Sequence, residues 1–322
     1  MNVPSVEKSL KQYEVYKFTL SEQYRKTALD ELRESDETRR QALEQLREWV
    51  VKNPAILGCR MDALFLLRFL RVRKFNHLQA CETLERYLVM NQRYPKWFRK
   101  LDTAEPWVDE MIEDWPLLPL GYDKAGRLVL LAKMGNVNLE RFTNAALVRL
   151  FTMAMETYYD EEKVQITGTV HIYDDTDITM GHIAQWPITD IIAYMKCVKH
   201  SFPQRIREIH LLNMPRYAAA TVELCLNLLS EKMRTRFYQH RSVKDMTKIV
   251  DQSILPKEYG GNIPIDELQK QFRQRLTKYR DTILALDQME VDESKLSPFS
   301  KNDNWLENDS GVIGSFRKLN VD

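Results

Sequence analysis

The chain has 322 residues, 44% of them hydrophobic, with 47 Lys and Arg against 46 Asp and Glu. That length buries a sizeable core as one large domain or two ordinary ones. The near balance of charge gives no global field for nucleic acid, so any anion binding has to come from a local cluster. Cys59, Cys81, Cys197 and Cys225 are far apart and form neither a zinc spacing nor a disulfide framework. The first residues lack the apolar core of a secretion signal, and no window is long and apolar enough for a membrane span. A soluble, cytoplasmic protein is expected.

Residues 1–34 are highly charged and weakly periodic, and read as a segment of their own. From Glu37 to Lys52 the spacing of Leu43, Leu46, Trp49 and Val50 is helical. Asp62 suits the cap of a second helix carrying Phe65, Leu66, Phe69 and Leu70, with Arg68, Arg71, Arg73 and Lys74 distributed around it. A third helix, His77 to Gln92, presents Leu78, Cys81, Leu84 and Leu88. Together they predict a helical unit over residues 35–110.

After Trp115-Pro116 the pattern changes. Leu117 to Tyr122 and Arg127 to Met134 flank Asp123-Lys124-Ala125-Gly126, the composition of a hairpin turn. A helix from Thr143 to about Tyr159, a strand Gly168 to Asp174, a helix Ile188 to His200 and a strand ending before Pro215 then alternate, which predicts an α/β layer with parallel pairing over residues 111–287. Arg205 and Arg207, two apart on that last strand, fall on one face. Tyr217 to Phe237 reads as one helix with a wide apolar stripe, and Lys232 and Arg236 share a face near its end. Gly260 and Gly261 suit a turn needing positive φ. A last helix runs from Pro264 to Leu286, and residues 288–322 read as a polar tail.

Catalytic motifs are scarce: there is no dinucleotide fingerprint, phosphate loop, nucleophile elbow or zinc-protease helix. Asp174-Asp175-Thr176-Asp177 offers three carboxylates at a strand end, where a divalent cation is conceivable and a solvated turn is the simpler reading. His171 and His210 read as hydrogen-bonded structural histidines within strands.

The segments Asp62 to Phe75, Ser201-Phe202-Pro203, Ile209 to Pro215, Leu229-Ser230-Glu231-Lys232 and Leu255 to Gly261 occur in the order found in a known family. Together, over roughly residues 40 to 285, they resemble the CRAL-TRIO lipid-transfer family, within it the branch of tocopherol transfer, retinaldehyde-binding and clavesin proteins. The ending Gly314-Ser315-Phe316-Arg317-Lys318-Leu319 resembles insect members.

The resemblance implies a helical unit leaning on an α/β domain of mixed, mainly parallel sheet that encloses one apolar ligand under a helical lid. It implies a lid over about Met214 to Arg236, carrying Tyr217, Val222, Leu224, Leu228 and Leu229. It carries over pocket positions to Phe151, Met155, Ile178, Phe202, Ile206 and Ile209, and a basic cluster for phosphatidylinositol bisphosphate to Arg73, Arg205, Arg207, Lys232 and Arg236. Phe151 and Met155 stand where the tocopherol binder has small hydroxyl residues, which makes a larger, drier wall. The expectation is a monomeric carrier of a hydrophobic small molecule or lipid that associates reversibly with phosphoinositide membranes, without cofactor, enzymatic activity or nucleic-acid partner. Its rivals are a phosphoinositide scaffold and a metal-dependent enzyme using Asp174, Asp175 and Asp177.

Overall fold

Side chains that hydrogen-bond to backbone set the first helix boundaries. In the computed structural model, which describes residues 3–301 other than Leu10, Gln12 and Glu14, Ser35, Asp62 and Asn76 accept from the N–H of Thr38, Phe65 and Gln79. These bonds open α2 (Asp36–Lys52), α3 (Ala63–Val72) and α4 (His77–Arg93) by satisfying a donor that the helix itself leaves free. The charged N-terminal segment also holds order: β1 (Val6–Glu7) and α1 (Glu22–Leu32). Ala28 and Leu32, one turn apart, are the buried residues of α1 and meet Ile166, a contact too narrow to give a periodic signal.

A short strand, β2 (Ile56–Arg60), pairs antiparallel with β1 on one side and with β8 (Glu290–Val291) on the other. The reading of residues 288–322 as a tail is therefore corrected for residues 288–301. Val291 and Leu296 are buried in the core of the helical unit, so this stretch is held by apolar contacts too few to show as a run. The motif at Gly314 to Leu319 lies outside the described residues.

The α/β layer is a sheet in the order β3 (Leu117–Tyr122), β4 (Leu128–Lys133), β5 (Thr169–Asp174), β6 (Ile206–Leu212) and β7 (Phe237–His240). The first pair is antiparallel and the other three are parallel. Between β4 and β5 run α5 (Asn144–Tyr159) and α6 (Glu162–Thr167), and between β5 and β6 runs α7 (Ile188–His200). After β7 the chain turns at Gly260, whose φ is +82°, and enters α8 (Ile265–Leu284). Gly261 is needed for space rather than for positive φ: a Cβ there would sit 1.7 Å from the Leu255 carbonyl oxygen.

The segment expected as one helix from Tyr217 to Phe237 is two. Leu229 is extended (φ −88°, ψ 159°) and ends α9 (Ala219–Leu228), and Ser230 caps the separate α10 (Glu231–Arg234). A serine able to accept from the N–H of Met233 gives the chain an alternative to continuing the first helix. Phe237 then belongs to the edge strand of the sheet.

Charge joins the helical unit to the α/β layer. The buried Arg68 pairs with Glu156 at 2.8 Å and Asp160 at 2.7 Å, and Arg60 pairs with Asp160 at 2.9 Å. Arg71, also buried, meets Glu34 at 2.6 Å and Glu162 at 2.8 Å. Burial pushes the Asp160 carboxyl up, but Arg68 and Arg60 outweigh it and hold it below the usual carboxylate range.

Candidate functional site

The sheet, α7 and α9 line a half-open cavity of about 280 Å³, more than ten times the roughly 10–15 Å³ that one water needs. Phe151, Ile178, Phe202, Ile206 and Ile209 all line it, joined by Trp186, Tyr194, Leu211 and Phe237. Strict alternation would put Ile206 and Ile209 on opposite faces of β6. An irregularity in the β5–β6 register, where Thr169 faces Ile206 but Val170 faces Glu208, removes that conflict. Met155 does not line the cavity. One helical turn beyond Phe151, it packs with Leu128 and Leu130 over the sheet.

The lid helix presents a different face from the one expected. Ala218, Thr221, Val222 and Cys225 line the cavity, spaced i, i+3, i+4, i+7, and Leu229 follows at the break. Leu224 and Leu228 are absent from that wall, and Tyr217 is exposed, its hydroxyl donating to the Ile178 carbonyl. The bulkiest apolar residues drew the sequence reading, whereas the cavity face of α9 is built of smaller ones.

Polar groups interrupt the apolar wall along one face of β5. His171, Tyr173 and, just past the strand end, Asp175 alternate into the cavity. His171 accepts through Nε2 from the Gln204 amide at 2.7 Å, and burial pulls its pKa down to about 4. Asp175 is pushed up to about 7 by burial and by the neighbouring Asp174. Of the three carboxylates of the acidic cluster, Asp177 is exposed as a solvated turn requires, whereas the other two are buried. Asp174 is buried and accepts from the Tyr259 hydroxyl at 2.6 Å and from Thr176, while Asp175 turns to the cavity. No group of three or more His, Cys, Asp or Glu suited to a metal ion occurs among the described residues. His210, buried, bonds His240 at 2.9 Å and Glu208 at 3.2 Å, away from the cavity lining.

A second, cationic cleft adjoins the first. Arg205, Arg207, Lys232 and Arg236 line it together with Lys74, Asp30 and Glu31. Arg73 does not join them: its guanidinium is turned to Thr83 Oγ1 at 2.6 Å and the His200 carbonyl at 3.4 Å, and the next residue, Lys74, faces the cleft instead. The left-handed backbone of Lys74 (φ 52°), just past the end of α3, accounts for the exchange. Glu31 accepts from Arg205 and from Arg207, each at 2.7 Å. Partial burial raises its pKa, but the hydrogen bonds from Arg207 and Arg205 outweigh this and lower it overall. Burial lowers the pKa of Arg205 and of Arg236, and the charge of Arg207 adds to both shifts. Met233 and Gln204 line both the cavity and the cleft, so two side chains are walls common to the apolar and the cationic compartment.

The CRAL/TRIO domain family matches residues 113–261, and a family described as Pinta-like, UBA domain matches residues 35–108. Residues 113–261 of the chain are a CRAL/TRIO domain. Clavesin-2 of Rattus norvegicus and of Homo sapiens are each 28% identical to the chain over 236 residues, covering 73% of this chain and 72% of theirs. Clavesin-1 of Xenopus laevis is 27% identical over 236 residues, 73% of this chain and 71% of its own. The crystal structure of Sfh5 shares 10% identity at a TM-score of 0.49, over 75% of this chain and 96% of that one, a likeness that carries no weight in the assignment. CRAL-TRIO proteins are a lipid-binding and lipid-transfer family. No helix among the described residues is long and apolar enough to cross a membrane.

Proposed function

We propose that this CRAL-TRIO protein is a monomeric, non-enzymatic carrier that encloses one hydrophobic molecule and exchanges it at membranes bearing phosphatidylinositol bisphosphate. The observation that carries the reading is the pair of compartments with Met233 and Gln204 as common walls. An apolar cavity under a short helix suits a ligand that must be hidden from water. Swinging α9 away would expose Val222 and Leu229, at a cost of about 4 kcal/mol in water as an upper bound. Release is therefore rare until a bilayer accepts that face.

Arg205, Arg207, Lys232 and Arg236 supply charge-assisted donors for a polyvalent phosphate, with Lys74 in the position first assigned to Arg73. Because the break at Leu229 separates the lid from the segment carrying Lys232 and Arg236, coupling between them runs through Met233, which sits between those two cations in sequence and touches both spaces. A phosphoinositide that pulls on α10 shifts Met233, and ligand release accelerates only by its differential affinity for that shifted state. Organic extraction of the purified protein followed by mass spectrometry tests the carrier reading; a preparation with no bound lipid and no uptake from vesicles leaves a phosphoinositide scaffold. A transfer assay at matched membrane-bound protein tests the coupling. Vesicles with the bisphosphate are expected to speed transfer, and Lys232→Glu with Arg236→Glu is expected to remove the excess; equal rates with and without the lipid would reduce the cleft to a docking site.

A further inference from the structure

Asp175 and His171, both in the lining of the cavity, carry polar atoms that meet no protein partner among the described residues. Asp175 is 9% exposed, lines the cavity, and its carboxyl makes no hydrogen bond or ion pair among the described residues. Leaving such a group unmatched in an apolar wall is costly, and native proteins rarely do so without a use for it. The second atom is on His171. His171 Nε2 meets the Gln204 amide nitrogen at 2.7 Å and the Thr169 hydroxyl at 3.0 Å; with the amide nitrogen donating, Nε2 is the acceptor and the single proton of the neutral ring is assigned to Nδ1. That N–H meets no protein acceptor among the described residues, while the ring, stacked on Tyr173, lines the same cavity. Asp175 follows His171 by four positions, about 13 Å between their Cα atoms at the rise of an extended strand.

The rest of the lining narrows the ligand by exclusion. No lysine or arginine is among the lining residues, so a fatty-acid carboxylate or a phospholipid phosphate would be buried beside Asp175 with no cation to meet it. A bare hydrocarbon would leave the carboxyl dry and unpaired. An ammonium would be matched only while Asp175 is ionised, whereas a hydroxyl can donate to the carboxyl in either protonation state.

We propose that the cavity is specific for an elongated lipid alcohol, whose hydroxyl donates to the Asp175 carboxyl and which has room for a second oxygen function accepting from His171 Nδ1. The proposal rests on the carrier reading above and adds the chemistry of its cargo. Neither contact needs a residue of the cationic cleft, so the choice of ligand and the choice of membrane are separate recognition events in one chain.

The test is displacement of anilinonaphthalene sulfonate from the full chain by hexadecanol, its methyl ether and hexadecane. The ether keeps the chain and the oxygen but cannot donate. The wild-type protein is expected to prefer the alcohol over the ether by about tenfold or more. Asp175→Leu is expected to bring that ratio to about one while leaving hexadecane binding as strong or stronger, and Asp175→Asn, whose amide oxygen still accepts, is expected to retain a preference. Equal affinity of the wild type for alcohol and ether, or an undiminished preference in Asp175→Leu, overturns the inference and leaves a carrier of unselective apolar cargo. Failure of all three compounds to displace the probe overturns the carrier reading together with it.

Discussion

Two arginine-rich regions of this molecule differ in their balance of charge. At the seam between the helical unit and the α/β layer, Arg60, Arg68 and Arg71 meet five carboxylates, Asp62, Glu156, Asp160, Glu34 and Glu162. In the cleft, the five cations Lys74, Arg205, Arg207, Lys232 and Arg236 meet two, Asp30 and Glu31. The seam arginines are fully buried, with every charge answered, which is what a structural joint requires. The cleft is open and its cations outnumber its anions, so an additional anion would relieve repulsion there. An arginine cluster is read as a site by its unanswered charge, not by its arginine count.

The largest expected effect lies at the seam. Arg68→Ala leaves Glu156 and Asp160 short of a buried partner and is expected to cost about 3–5 kcal/mol in chemical denaturation. A loss below about 1 kcal/mol would show that the seam charges are dispensable, and the contrast with the cleft would collapse.

Asp175 extends the comparison to a carboxyl with no cation at all. Its folded pKa, about 7, lies above its unfolded value, so the folded state is favoured at low pH and loses that advantage as pH rises toward 7. Asp175→Asn is expected to gain stability over the wild type between pH 5 and 7, by at most about 3 kcal/mol, and to level off above. Parallel stability profiles for the two proteins across that range would mean the group is already paired.

In the cleft, Arg205→Ala combined with Arg207→Ala is expected to weaken binding to phosphatidylinositol bisphosphate vesicles about tenfold at physiological salt, with bound lipid content unchanged. Undiminished vesicle binding would make these two a structural pair like those of the seam. The smallest effect belongs to Glu31, which occupies Arg205 and Arg207 from within the chain. Glu31→Gln is expected to raise affinity for the same vesicles by about threefold. Weaker binding in that variant would assign Glu31 to holding the arginines in place rather than competing for them.

Much of the scaffold was legible because it depends on local rules. The cap at Asp62, the hairpin around Asp123 to Gly126 and the helix Ile188–His200 follow from a side-chain acceptor, a turn composition and a period. What was not legible depends on departures from a period or on distant partners. The break at Leu229 and Ser230 divides a continuous apolar stripe, and the shift in the β5–β6 register is invisible to an alternation rule. Helix α1 is anchored by a contact with Ile166, far along the chain. Phe151 and Met155, a single turn apart, part company because one reaches the cavity and the other lies on the sheet. Asp175 had a signal that was passed over: it continues the alternation of His171 and Tyr173, so a strand bounding an apolar space had to turn a carboxyl inward.

The three-stranded ribbon of β1, β2 and β8 bears on how the protein is to be handled. A fragment cut at the outer limits of the two family matches, residues 35–261, would strip β2 of its neighbours on both sides and bare its backbone donors and acceptors. The same cut would delete α8, whose Phe272 and Leu276 are buried beneath the sheet's helical layer, and would discard Glu31 from the cleft. Truncation to the matched residues would therefore bare a strand edge and apolar core surface, and an assay on such a piece would report on a molecule whose cleft cations have lost Glu31.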